Sequence, residues 1–394
     1  MSSSTTQPVT ASVMPTVMAG IVCGLVGFTS SFAVVLTGLR AVGASQAQAA
    51  SGLMALCLTM GLGCVLFSWR LKMPVTMAWS TPGAALLAAA AAPHGGFASA
   101  VGAFMVCGIL LALCGLIRPL GRLVESIPAP LASAMLAGVL LQLVIEPVSA
   151  VQADPWAIGP VILTWLVLTA LARRWAVIGA LLAAFVVMAV RGVFGHLDLS
   201  NAAPSLSFVA PQWDTGAMFA IAIPLWIVTM SSQNIPGIAV LSSFGYKPGM
   251  RGPLLYTGGA SAVGALAGGH AINLAAISAA LAAGPKAGPD PKRRWAAGIS
   301  CGLTYLTFGP LAGLVSAVAV AAPKGIVETI AGLALIATFA AAAWSALAQE
   351  SAREAGAIAL VVAASGITIA GIGSAFWGLV AGLVLYVVLR RRPA

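Results

Sequence analysis

The sequence predicts an all-α polytopic membrane protein with fourteen transmembrane segments arranged as a 7+7 inverted repeat. Three observations carry that prediction. Of the 394 residues, 60% are hydrophobic and only 7% charged, against about 25% charged in a soluble domain. Apolar runs recur at the ~20-residue length that a bilayer core demands. The basic residues fall almost wholly on one side of the path these runs define. Soluble enzymes, nucleic-acid readers and secreted disulfide scaffolds are thereby excluded. The formal charge of +10 records orientation rather than an acidic partner.

Residues 1–11 are polar and contain no Lys or Arg, so they lack the basic region of a cleaved signal peptide and read as a cytoplasmic tail. Apolar stretches then place helices near 12–36, 46–68, 73–91, 97–117, 128–146, 157–172 and 176–194. A polar periplasmic loop, 196–213, separates these from a second set near 215–243, 253–267, 268–284, 296–321, 326–347, 355–370 and 372–389. With the amino terminus inside, sixteen of the nineteen Lys and Arg face the cytoplasm, and only Arg40, Arg191 and Lys324 face out. One missed or extra helix would invert every later loop and scramble that bias, so span count and orientation support each other. Trp69, Trp156, Trp175, Trp213, Trp295 and Trp344 fall near span ends, where an amphipathic ring suits the headgroup layer.

An odd number of helices per half brings the second half in from the opposite face, which relates the halves by an axis in the membrane plane. Short echoes accompany this. Ser30-Ser31 on the first helix recurs as Ser231-Ser232 on the eighth, and the third helix of each half begins irregularly, at Met73–Leu87 and Gly268–Ser278.

Those two irregular segments are the expected site, because backbone inside a bilayer stays unpaired only where it lines a cavity. Ser80-Thr81-Pro82 is a cap followed by a first-turn proline, and Asn273, after Gly268-Gly269 and His270, can cap the alanine-rich stretch beyond it. Two helix amino ends meeting at mid-depth would hold a carboxylate without a buried Arg or Lys. The alternative, that Ser80, Thr81 and Asn273 only satisfy their own backbones, stays open at this point. Ser30, Ser31, Gln233 and Asn234 stand ready as hydrogen-bonding partners, with interhelical contact as their competing role. Trp79 lies away from the interface and offers a face to an aromatic ring, with Phe32 as a second face or plain packing. His270 is the titratable residue inside a predicted break, and so the candidate for proton coupling; a neutral packed imidazole is the equal alternative.

The six cysteines sit in apolar runs without a close CxxC pair, so neither a metal nor any other cofactor is expected. No GxxxxGK[ST] stretch supports ATP-driven pumping, and no nucleophile–base pair in the spans supports an enzyme.

The segments Ser232-Gln233-Asn234-Ile235-Pro236-Gly237, His270-Ala271-Ile272-Asn273 and Met77-Ala78-Trp79-Ser80-Thr81-Pro82-Gly83 are similar to those of the bacterial benzoate/proton symporter (BenE) family. The resemblance covers essentially the whole chain and implies a relative of the UraA-like nucleobase transporter fold. It implies a core unit at 12–120 and 214–322, a gate unit at 121–195 and 323–394 ending in a basic cytoplasmic tail, and short extended segments in helices 3 and 10 lining the site. Nucleobase carriers of that fold hold acidic residues where Gln233 and Ile272 stand here, and their loss suits an anionic substrate. The expectation is a secondary transporter in the bacterial inner membrane, both termini cytoplasmic, importing benzoate or a similar aromatic carboxylate with a proton by alternating access. Its partners are that small molecule, protons and membrane lipid, with room for a homodimer and none for nucleic acid. A carrier of another substrate, such as a nucleobase or small anion, or an anion channel on the same fold, is the alternative.

Overall fold

With no water in a bilayer core, each apolar stretch must close its own backbone hydrogen bonds, and most of this chain does so as helix. The computed structural model describes residues 13–117, 119–120, 122, 126–199, 202–369 and 372–390. The expected tail 1–11, and Arg118, Glu125, Arg391 and Arg392, lie outside the described residues.

The first half contains α1 (Met14–Thr29), α2 (Phe32–Ala41), α3 (Gln46–Leu71), strand β1 (Met77–Trp79), the short α4 (Thr81–Ala88), α5 (Gly96–Leu116), α6 (Ala129–Ala153), α7 (Pro155–Ala172) and α8 (Ala176–Val190). The second contains α9 (Thr215–Ser243), α10 (Arg251–Ala265), β2 (Ile272–Leu274), α11 (Ile277–Ala283), α12 (Pro291–Ala321), α13 (Ile326–Ala348), α14 (Arg353–Ala364), the two-residue strands β3 (Thr368–Ile369) and β4 (Ile372–Gly373), and α15 (Ser374–Arg390). Among the described residues, eight helices are long and apolar enough to cross a membrane, counting α1 and α2 as one; α8 and α15 are shorter apolar helices.

Local chemistry sets several boundaries. Ser45 and Gln48 form a reciprocal capping box at α3. Asp154 caps α7 by accepting from Ala157 N at 3.0 Å, and Asp214 caps α9 through Gly216 and Ala217. Inside α9, two wide π turns, Met218–Ala222 and Met230–Asn234, each lie just ahead of a proline, Pro224 and Pro236. A proline has no N–H to return to the carbonyl four residues back, so the backbone widens and Ile235 N reaches Met230 O instead.

Three expectations need correction. The first predicted helix, 12–36, is not one rod: it breaks at Ser30-Ser31, where Ser31 takes φ −150° and ψ 2°, and then continues to Ala41. Both hydroxyls turn back to Gly27 O, which competes with the helix ladder at that point. Asn273 does not cap the following helix, because it lies within β2 and α11 starts from Ala276 without a side-chain cap. The helix expected to 370 ends at Ala364, followed by Gly366 at φ +67° and the β3–β4 pair.

One buried core runs through both halves of the chain, with Met60, Phe104, Leu111, Leu131, Met135 and Tyr305 among its fully covered side chains. Helices α5 and α10 touch backbone to backbone: a Cβ on Gly258 would stand 2.2 Å from Ala112 N and 2.6 Å from Gly108 O. On the outside, Trp69, Trp156, Trp213 and Trp344 are exposed, and Lys72 Nζ sits 4.3 Å from the centre of the Trp295 ring.

Candidate functional site

The site is built where the two chain halves cross. β1 and β2 pair antiparallel in the register Met77↔Leu274, Ala78↔Asn273, Trp79↔Ile272. Ala275 N to Thr76 O (3.0 Å) and Ser80 N to Ala271 O (2.9 Å) extend the ladder at either end. Two three-residue strands leave outer edges that a bilayer cannot solvate, and side chains of the surrounding helices cover them. Cys64 Sγ accepts from Met77 N (3.0 Å), Ser261 Oγ from Ile272 N (2.9 Å) and Asn234 Oδ1 from Leu274 N (2.9 Å), while Ser68 Oγ donates to Val75 O (2.9 Å). Oriented to satisfy its neighbours, the Asn273 amide accepts from Ser80 N at 3.0 Å and donates to Leu274 O at 2.8 Å.

Ser80 caps α4 by accepting from Gly83 N at 3.1 Å, and takes a further hydrogen bond from Thr229 Oγ1 at 2.8 Å. Trp79 is buried, its indole N–H donating to Ser31 Oγ at 2.8 Å, and Thr81 Oγ1 donates to the same oxygen at 3.2 Å. The break in α1–α2 is thus tied to the strand and to the start of α4.

A cavity of about 240 Å³ opens beside this junction, a size suited to a ligand smaller than the drug-like molecules that fill pockets of about 300 Å³ and more. Of the residues expected from sequence, Ser30, Ser31, Trp79, Thr81 and Gln233 line it. Ser80, Asn234 and Asn273 do not; they hold the strands and the α4 cap together behind it. Phe32 faces a neighbouring apolar cavity. His270 is buried with its ring edge-on to Phe104, centroids 6.4 Å apart, and neither ring nitrogen meets a hydrogen-bond partner among the described residues. It lines neither cavity.

Sequence reasoning missed the other wall. Ala334, Ala337 and Thr338 of α13 close the cavity opposite the strands, and Ala275, Ala276 and Ser278 line it at the start of α11. Small side chains in an apolar helix carry no signal of their own; Thr338 and Ser278 could have attracted notice as polar residues in spans. None of the residues lining the cavity is ionisable. Its chemistry is an aromatic face, five serine or threonine hydroxyls, one amide, and the nearby amino ends of α4 and α11.

The sequence profile described as "Benzoate membrane transport protein" matches residues 10–388. The chain belongs to that family. The chain is 36% identical over 375 residues to the "Inner membrane protein YdcO" of Escherichia coli (strain K12), covering 95% of this chain and 96% of that one. It is 28% identical over 377 residues to a "Benzoate membrane transport protein" of Acinetobacter baylyi, covering 96% and 95%. Family members are membrane transporters, not enzymes. Among solved structures, the fold is similar to the transmembrane domain of a cyanobacterial bicarbonate transporter, BicA, with TM-score 0.60, 16% identity and coverage of 95% and 97%. It is also similar to SLC26A9, with TM-score 0.65 and 12% identity over 96% of this chain and 65% of the longer protein.

Proposed function

We propose that this chain is a secondary transporter that carries benzoate or a similar aromatic carboxylate, together with a proton, across the bacterial inner membrane. The observation that carries this reading is the cavity itself. It sets the Trp79 ring against hydroxyls and the amino ends of two short helices, at a point where the membrane path is interrupted. A planar ring would lie on Trp79 while its carboxyl group hydrogen-bonds near Thr81 and Ser278, with Gln233 and Thr338 beside it.

In this reading the fourteen spans form inverted sets of seven, with both termini cytoplasmic. The core unit comprises 12–120 and 214–322, the gate unit 121–195 and 323–394. The cavity would then lie between them, since α13 belongs to the gate, and rocking of one unit on the other would open it to each side in turn. The names of the family and of the Acinetobacter baylyi relative, both "Benzoate membrane transport protein", support the substrate class.

Uptake of labelled benzoate into proteoliposomes, with and without an imposed inward pH gradient, tests the reading. The expected result is saturable accumulation that the gradient drives and that unlabelled benzoate, but not uracil or sulfate, competes away. Competition by uracil or sulfate instead would reassign the substrate, and flux without saturation would make the protein a channel.

A further inference from the structure

A second cavity, of about 410 Å³, lies one turn nearer the amino end of α13: Ile326, Val327 and Ile330 line it, whereas Ala334, Ala337 and Thr338 line the first. The α1–α2 break serves both. Gly27, Ser30 and Ser31 face the first cavity, and Phe28, Thr29 and Phe32 face the second. Phe28 stands between them. Its ring, which lines the second cavity, stacks on Phe308 at 4.3 Å and on Phe32 at 5.5 Å, both within 12° of parallel, and lies 5.6 Å from the ring of Trp79, which lines the first.

The second cavity is hydrocarbon throughout, apart from Thr29, whose hydroxyl is already committed to Leu25 O at 2.7 Å. Charged groups stand on the elements around it but do not line it. Arg40 on α2 is bonded to Ser316, Glu328 lies on α13 with Lys324 ahead of it, Asp198 follows the lining residue Leu197, and Arg191 at the end of α8 is paired with Asp154. The His196 side chain, in the turn that supplies Phe194, is outside the described residues. A carboxylate entering here would lose its water and find no donor, whereas a neutral ring would find stacked aromatic faces.

We propose that this cavity is an outer chamber that admits the aromatic acid only in its uncharged, protonated form, with Phe28 as the partition between chamber and site. This rests on the transport reading above and places the chamber on the periplasmic side of the site. A proton from bulk water joins a carboxylate oxygen at the chamber mouth, and that O–H bond breaks when the acid is released on the cytoplasmic side. One proton therefore moves with each acid, and no protein side chain needs to titrate.

Two experiments on the full chain in proteoliposomes test this, with flux through protein-free vesicles subtracted. First, uptake and detergent-phase binding of labelled benzoate are measured in Val315→Phe and Ala319→Phe, which fill the chamber away from the site. Uptake should fall at least about tenfold while binding stays within about threefold. Second, the wild-type apparent KM is measured at fixed pH for ring-fluorinated benzoates of increasing acid strength. It should rise about tenfold for each unit by which the substrate's own pKa drops, because only the neutral fraction enters. The second series decides alone where the variants do not fold. Unimpaired uptake in a filled chamber, or a KM indifferent to substrate acid strength, would overturn the chamber while leaving the binding site intact. Absence of benzoate binding to the wild-type protein would overturn the transport reading and this inference together.

Discussion

The indole N–H of Trp79 donates to the Ser31 hydroxyl at 2.8 Å, and through it the strand β1 is fastened to the break between α1 and α2. Ser31→Ala leaves that buried N–H and the Thr81 hydroxyl without their acceptor. An orphaned buried donor costs about 1–3 kcal/mol, so the thermal midpoint should fall and benzoate binding should weaken about tenfold. Ser31→Thr should recover most of both. The pair is checked by thermal unfolding in detergent and by equilibrium binding.

Gln233 and Asn234 are neighbours in sequence with different duties, because successive residues on a helix point about 100° apart. Gln233 lines the cavity, while Asn234 accepts from Leu274 N at 2.9 Å. Gln233→Ala should weaken substrate binding with little change in melting temperature. Asn234→Ala should lower stability by about 1–3 kcal/mol through the abandoned backbone N–H. The same pattern in both variants, in either measurement, would contradict this division.

His270 packs against Phe104 and lines neither cavity. His270→Gln should therefore keep pH-gradient-driven uptake at more than about half of the wild-type rate, with an unchanged pH profile. Loss of accumulation in a variant that still folds would return His270 to the coupling mechanism.

Asp154 and Arg191 form a bidentate pair at the ends of α7 and α8, at 2.5 and 2.9 Å. The hydrogen bonds from Arg191 are the main reason the Asp154 carboxyl is held below its ordinary value, with the Ala157 N–H adding to it. A depressed carboxyl stabilises the fold above the unfolded value, near 4, and that contribution is lost as pH falls through the lower folded value. The pair is partly exposed, so the effect should be small and screened by salt. Melting temperature measured from pH 7 down to pH 3 should decline more steeply in the wild type than in Asp154→Asn.

Gly258 and Gly259 are adjacent but opposite in tolerance. A Cβ on Gly258 would press on the backbone of Ala112 and Gly108, whereas one on Gly259 meets nothing within 4 Å. Gly258→Ala should destabilise by about 1–3 kcal/mol or prevent assembly. Gly259→Ala should leave the melting temperature unchanged or slightly raised.

The segments whose chemistry is local were legible from sequence. Ser80-Thr81-Pro82 announces a helix start by its cap and proline, and the structure has α4 begin there. The position of Trp79 and Gln233 at a cavity follows from polar and aromatic residues lying far from the span ends. Pairing between distant stretches was not legible. Asn273 reads as a cap until β2 is seen to lie against β1, which commits its amide to Ser80 and Leu274. The break at Ser30-Ser31 escaped because serine is tolerated within helices, and only the Trp79 and Thr81 bonds to Ser31 reveal what the turn is for.

The antiparallel junction of Met77–Trp79 with Ile272–Leu274 has a consequence for biosynthesis. The ribosome delivers the earlier strand long before its mate exists, so an insertion intermediate carries an open hydrogen-bonding edge within lipid. Fragments severed in the 196–213 connection should be degraded when made singly and accumulate together when co-expressed, each acting as the template that completes the other.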